Sequence, residues 1–394
     1  MNLPIHPFPA RMAPELALEA LQKSNKSMRL LDPMSGSGTT LRHASLLGHE
    51  AHGRDLDPLA VLMAGVWTTP VCPTELERYY QDVLKVSLAL DPEQVTLTWI
   101  DDDPETSAFI KFWFGQKQRS ALRCIFSVLM NHSDYFDYEA DERLADVLKV
   151  ALSRIIITKE QRASLARDTS HSRPHKVAEE SEYDVFQGFK TSVQQVMKRL
   201  LSSSLKSQVF VELGDARSLD FDDEYFDAIL TSPPYLNAID YMRGHKLALV
   251  WMGFRIGELR SIRSGSIGAE KAPEEGEEAL GKMIKAFGDL SGLPRRHIRM
   301  IERYSVDLST SLGEAARVLR KGGTATYVVG NSCLKGVFVQ NSEAVAVAGE
   351  IAGMEVVRKF ERELPQNRRY LPVNTDSPLQ NRMRTETILE FKRP

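Results

Sequence analysis

Asp32-Pro33-Met34-Ser35-Gly36-Ser37-Gly38-Thr39-Thr40 follows a short apolar run at residues 27–31 and precedes a helical pattern through Leu41, Ala44, Leu46 and Leu47. Strand, glycine loop and helix in that order are the parts of a nucleotide-type cofactor site at the carboxyl end of a parallel strand. Gly36 and Gly38 let the backbone turn tightly and approach a ligand where a Cβ would clash. The loop lacks the Lys-Ser/Thr ending of a P-loop, which argues against a triphosphate. It also leaves the G-x-G-x-x-G spacing of a dinucleotide site incomplete, because position 41 is Leu. Asp32 at the strand end offers a carboxylate to a ligand's ammonium group. The next apolar stretch closes in Gly53-Arg54-Asp55-Leu56-Asp57-Pro58, and an acid ending the second strand is placed to accept hydrogen bonds from ribose hydroxyls.

A second motif lies far downstream. Thr231-Ser232-Pro233-Pro234-Tyr235 directly follows the apolar run 226–230. Both prolines have φ held near −65° and neither has an N–H, so the carbonyls of the corner point in set directions at little entropic cost. The Tyr235 ring offers a face on which an extruded base can stack. The plain alternative is a strand-ending turn; the glycine loop upstream favours the chemical reading, a corner suited to the exocyclic amino group of a planar base.

Together the two motifs resemble the S-adenosylmethionine-dependent DNA amino-methyltransferases, most of all those that methylate cytosine N4, whose usual catalytic motif is Ser-Pro-Pro-Tyr or Ser-Pro-Pro-Phe. The opening His6-Pro7-Phe8-Pro9-Ala10-Arg11-Met12 resembles the segment that family places before its glycine loop. The resemblance covers residues 1–66 and 206–394. It implies S-adenosylmethionine as cofactor, with Phe8, Asp32, Met34, Gly36, Gly38, Thr39 and Asp55 around it and Asp215, after the third strand, on the adenine amino group. It implies Ser232, Pro233, Pro234 and Tyr235 as the catalytic residues and double-stranded DNA as substrate. A cognate restriction nuclease is a partner such enzymes have. The expected fold is α/β: a Rossmann-like methyltransferase fold, mostly parallel and seven-stranded, with a terminal antiparallel hairpin and a large helical insertion.

Composition agrees. The 394 residues exceed one typical domain, and 42% hydrophobic with 26% charged residues is ordinary for a water-soluble protein. Cys72, Cys124 and Cys333 are far apart and form neither a zinc spacing nor a disulfide framework, which fits a reducing cytoplasm. No signal peptide is expected at the start, and no apolar run approaches the ~20 residues that cross a bilayer. The net charge of −3 requires DNA phosphates to meet local patches. Three clusters qualify: Arg154 to Lys176, with Arg173 in its turn-rich part; Arg255, Arg260 and Arg263 beyond the catalytic corner; and Arg295, Arg296, His297, Arg299 and Arg303.

Residues 72–205 repeat apolar positions at helical spacing over 75–90, 106–114, 117–130, 140–157 and 183–201, punctuated by prolines. They read as a helical insertion between 1–71 and 206–394, the two parts of the methyltransferase core. Trp99, Phe112, Trp113 and Phe114 read as its core. A helix over 301–319 is expected to stop at Arg320-Lys321-Gly322-Gly323, ahead of a strand at 324–329. Too few residues separate Asp215 from Ser232 for a recognition domain. The insertion, the stretch 237–300, or both therefore carry target recognition.

The expected reaction is direct methyl transfer to an exocyclic nitrogen of a flipped base, with no metal. Ser232 Oγ and the Pro233 carbonyl would accept the amino hydrogens, an interaction that strengthens in the transition state. An adenine-N6 DNA enzyme and an RNA base amino-methyltransferase are the alternatives within this chemistry. A cofactor-binding regulator without turnover and a small-molecule methyltransferase are alternatives outside it. A cytosine-C5 route would need a nucleophilic cysteine, typically after a proline, and neither Cys72 nor Cys124 follows one.

Overall fold

The computed structural model describes residues 4–7, 12, 14–22, 26–139, 141–167, 174–201, 205–236, 240–267, 277–363 and 385–394. Two compact units emerge, each assembled from separated stretches of chain. One contains Ala10–Leu56, Lys206–Ala238 and Ser264–Pro394; the other contains Met1–Pro9, Asp57–Leu205 and Ile239–Arg263.

The first unit is built on seven strands: β1 (Arg29–Asp32), β2 (Glu50–Asp55), β3 (Val209–Leu213), β4 (Phe226–Thr231), β5 (Leu319–Gly330), β6 (Glu355–Glu363) and β7 (Thr385–Lys392). They lie in the order β6-β7-β5-β4-β1-β2-β3. The neighbours from β3 to β5 are parallel, whereas β7 runs antiparallel to both β5 and β6. This is the expected Rossmann-like methyltransferase arrangement with its terminal hairpin. Strand order reverses between β1 and β4, so a crevice opens at their carboxyl ends, where such sheets bind ligands. The apolar runs of β1 and β4 are buried almost throughout, as parallel strands covered on both faces must be. Leu31, Ile229, Leu312, Val329 and Leu389 belong to this core.

The helix ends ahead of Arg320–Gly323 as expected, but the strand expected at 324–329 begins five residues earlier. The helix runs Arg295–Val318, and β5 begins at once at Leu319. Phe226 pairs with Leu319 but Ala228 pairs with Thr324, so the Arg-Lys-Gly-Gly stretch is a bulge inside the strand. Gly322 takes φ 72°, and a Cβ on Gly323 would lie 2.8 Å from the Arg320 carbonyl. The glycines serve the bulge rather than a helix end.

The second unit is helical. Its main helices are Pro58–Thr68, Pro73–Ala89, Pro104–Trp113, Gln116–Met130, Glu142–Ile156, Val185–Leu200, Met242–Leu249 and Ile256–Gly265, the last reaching just past its boundary. Asp57, Asp103, Asp141 and Asp184 cap four of them, each carboxylate accepting from a first-turn N–H, worth about 1 kcal/mol apiece. Asp-Pro at 57–58 and at 103–104 adds a proline whose φ is already helical. The unit takes in 57–71 and 239–263 besides 72–205. Phe114 is buried as expected, and Trp99 is half-buried with Nε1 donating to the Val250 carbonyl at 3.0 Å. Phe112, however, is 52% exposed, so it is no core residue.

Candidate active site

The glycine loop leaves β1 and is pinned from below by β2. Ser35 N donates to the Arg54 carbonyl at 3.0 Å, and Gly36 N donates to Asp55 Oδ2 at 2.8 Å. Gly36 and Gly38 take φ 50° and 82°, and Gly38 caps the helix Thr39–Leu47. That conformation suits glycine and few other residues. A third glycine makes the packing possible: a Cβ on Gly53 would come within 2.5 Å of Leu41 Cδ1 and 3.2 Å of Ser35 Oγ. The hydroxyls of Ser35 and Ser37 are buried with no partner among the described residues. Buried polar atoms are ordinarily bonded, so two orphan hydroxyls in one loop mark a place where a polar ligand belongs.

Asp32 sits at the switch point between β1 and β4. Thr231 Oγ1 donates to its Oδ1 at 2.7 Å, and Met34 N reaches the same atom at 3.3 Å. Burial pushes its carboxyl up to about 6, against the lowering effect of those hydrogen bonds and of one from Thr40. One bond thus joins the glycine-loop strand to the strand that delivers Ser232. Thr39 opens the loop helix, and its carbonyl lies 2.7 Å from His43 Nδ1.

In the corner expected to be catalytic, Ser232 Oγ donates to the Val328 carbonyl at 3.1 Å and lies 3.5 Å from Tyr235 Oη. Tyr304, wholly buried on the helix Arg295–Val318, donates through Oη to the Pro234 carbonyl at 2.9 Å. Ser332 Oγ donates to the Leu236 carbonyl at 2.6 Å and itself accepts from Asn341 Nδ2 at 2.7 Å. The corner is thereby held at the Pro234 and Leu236 carbonyls. Val328, Tyr304, Ser332 and Asn341 were not legible as site residues, since each lies in an ordinary strand, helix or loop pattern.

Asp215 follows β3 and is held by Arg217, whose Nε donates to Oδ1 at 2.9 Å and whose Nη2 donates to Oδ2 at 2.6 Å. Arg217 also reaches the buried Asp307 at 2.8 Å, and Arg303 meets Asp307 at 3.1 Å. Burial raises the Asp215 carboxyl, but the Arg217 hydrogen bonds and charge outweigh it and hold the group below its ordinary value. Asp215 is therefore a member of an ion network as well as the residue expected at the adenine.

Phe8 and Arg173 lie outside the described residues. Arg255, Arg260 and Arg263 are exposed on the helical unit, where Arg260 pairs with Glu105 and Arg263 with Asp240. Arg154, expected in a phosphate cluster, instead points inward: it donates to the Ile5 carbonyl, to Ser192 Oγ at 3.1 Å and to Gln195 Oε1 at 2.7 Å. Among the described residues, no helix is long and apolar enough to cross a membrane.

No family model matches the chain. Over 98% of its length it is 22% identical to the Type II methyltransferase M.MvaI of Kocuria varians, of which it covers 90%. The chain is related to the Type II methyltransferases. It is also 21% identical to the Type II methyltransferase M.BsoBI of Geobacillus stearothermophilus, over 62% of this chain and half of that one. Among solved structures, a SAM-dependent methyltransferase from Methanosarcina mazei aligns over 97% of this chain and 98% of its own at 8% identity and a TM-score of 0.33, a likeness on which nothing below rests. S-adenosylmethionine is the cofactor of this methyltransferase class, and the loop fits it: two orphan hydroxyls, glycine backbone open to close approach, and carboxylates at the ends of β1 and β2.

Proposed function

We propose that the protein methylates an exocyclic amino nitrogen in double-stranded DNA, at N4 of a flipped cytosine. The observation that carries this reading is the bond from Thr231 Oγ1 to Asp32, which ties the base-facing corner to the cofactor-facing carboxylate across 199 positions of chain. S-adenosylmethionine supplies an electrophilic methyl group on a sulfonium centre. Asp32 would hold the ammonium of its methionine part, the loop from Met34 to Thr39 would line it, and Asp55 and Asp215 would take its ribose and adenine.

The protein's own part in the transfer is to position and to accept. Cytosine N4 is a weak nucleophile because its lone pair is delocalised into the ring. The Ser232 proton is engaged by the Val328 carbonyl, so the oxygen presents lone pairs to an amino hydrogen. The Pro234 carbonyl is already met by Tyr304, leaving the Pro233 carbonyl as the second acceptor in this scheme. Acceptors that favour a tetrahedral nitrogen stabilise the transition state more than the ground state. Tyr235 would stack on the extruded base, which must leave the duplex at a cost of a few kcal/mol. Target reading falls to the helical unit and to the stretch after the corner.

The test is incubation with methyl-labelled S-adenosylmethionine and mixed duplex DNA, followed by digestion to nucleosides. N4-methylcytosine is the expected product. N6-methyladenine would keep the scheme but assign the other base. Label in RNA alone, or in neither, would overturn the DNA reading.

A further inference from the structure

Two short helices of the helical unit each place a pair of basic residues one turn apart: Arg243 and Lys246 on Met242–Leu249, and Arg260 and Arg263 on Ile256–Gly265. Arg243 and Arg263 converge on one carboxylate, Asp240, at 2.9 and 2.7 Å. Arg260 pairs with Glu105. Four cations thus meet two carboxylates. Lys246 sits among them half-buried, its Nζ 5.2 Å from the centre of the Phe109 ring. Burial lowers its ammonium from the ordinary value, and Arg263, Arg243 and Arg260 push the same way against the pull of Asp240.

Like charges gathered in this way repel one another, and a half-buried ammonium adds a desolvation cost. The surrounding ion pairs are solvent-exposed and worth roughly 0–1 kcal/mol each, so they exchange readily for a stronger anion. Phe109 faces the ammonium itself, a cation–π contact that holds the charge in place among the arginines. An anion placed among the four cations would remove their repulsion, and the ligand with regularly spaced, single-charged oxyanions is a nucleic-acid backbone.

We propose that Arg243, Lys246, Arg260 and Arg263 form a seat for a backbone phosphate of duplex DNA, with Lys246 at its centre. This rests on the DNA-methylating reading above. It assigns to Arg260 and Arg263 a positioning contact rather than base readout, and it adds two residues with no earlier role. Such a contact weakens binding alike on every sequence when removed, and it leaves the chemical step untouched.

The experiment measures binding of a mixed-sequence duplex DNA to the full-length protein between about 50 and 200 mM salt. Wild type, Lys246→Met, Lys246→Arg and Arg243→Gln are compared, with S-adenosylmethionine affinity and thermal stability as controls. Lys246→Met is expected to flatten the slope of log K against log salt by about 0.9 and to weaken binding roughly tenfold at 0.1 M salt. Lys246→Arg should restore the slope, and Arg243→Gln should flatten it with cofactor affinity unchanged. A steep wild-type slope that Lys246→Met and Arg243→Gln leave unaltered would overturn the phosphate seat alone. Loss of affinity in Lys246→Met without a change of slope would do the same. A flat wild-type slope would instead overturn both the seat and the DNA reading.

Discussion

The Ser232 hydroxyl, one residue beyond strand β4, donates to the Val328 carbonyl of strand β5, which leaves lone pairs on its oxygen to accept. Ser232→Ala removes that acceptor while leaving the prolines and the Tyr304 bond in place. Turnover is expected to fall by roughly 100-fold, comparable to the loss of one preorganised transition-state hydrogen bond. Cofactor affinity should stay within a factor of two or so, because Ser232 is proposed to meet the base and not the cofactor. Single-turnover kinetics beside equilibrium binding of S-adenosylmethionine checks this; equal losses in both would undo the assignment.

Asp55→Ala should behave in the opposite way. It deletes the proposed ribose acceptor and also leaves the Gly36 N–H without its 2.8 Å partner. A hydrogen bond to a charged group is worth about 1.5–3 kcal/mol, so losing the one proposed to the ribose should lower cofactor affinity by roughly 10- to 100-fold. The turnover number at saturating cofactor should change far less. Calorimetric titration and a cofactor KM series read the two effects separately.

Asp32 makes two pH profiles run against each other. Its folded-state carboxyl is raised by burial from 3.8 to about 6, so between those values the folded protein holds a proton that the unfolded chain has released. Stability is therefore greatest below the window and falls as pH rises through it, by up to roughly 3 kcal/mol. In the role proposed for Asp32 the carboxylate must be charged to hold the cofactor's ammonium, so cofactor binding should weaken as pH drops below about 6. Asp32→Asn is expected to remove this group's contribution to the stability profile and to abolish tight binding at every pH. A wild-type cofactor affinity that stays level from pH 7 to pH 5 would contradict the role given to Asp32.

Arg217 bridges Asp215 and the buried Asp307. Asp307→Ala takes the carboxylate partner from Arg303 and leaves Arg217 with that of Asp215, in a poorly solvated site. Removing one partner from such a network typically costs about 3–5 kcal/mol. Urea denaturation should show a lower midpoint with the slope unchanged. If Asp215 also serves the cofactor, added S-adenosylmethionine should recover less stability in the variant than in wild type.

Most strands, the terminal hairpin and the helical insertion were legible because their signals are local: an apolar run, a glycine loop, a helical period. The bulge at Arg320–Gly323 was not, since Gly-Gly after a helix reads equally as a stop until the pairing of Phe226 with Leu319 is known. The two motifs of the site were visible as residue types, but their connection was not. Nothing near Thr231 in sequence announces a bond to Asp32, and nothing around Tyr304 announces Pro234. Arg154 shows the converse failure: a basic residue in a basic stretch, spent on holding the Ile5 carbonyl. Charge reads as surface unless burial is known, and burial is a property of the tertiary structure.

Strand β7, made from almost the last residues of the chain, lies inside the sheet between β5 and β6 rather than at its rim. During synthesis β5 must wait with one edge unpaired until residue 392 has left the ribosome. A chain in which residues 385–392 are missing therefore presents an open β-edge to other chains, and deletions within them should betray themselves as aggregation on expression before any loss of catalysis can be measured. Residues 385–392 are accordingly a poor stretch to delete.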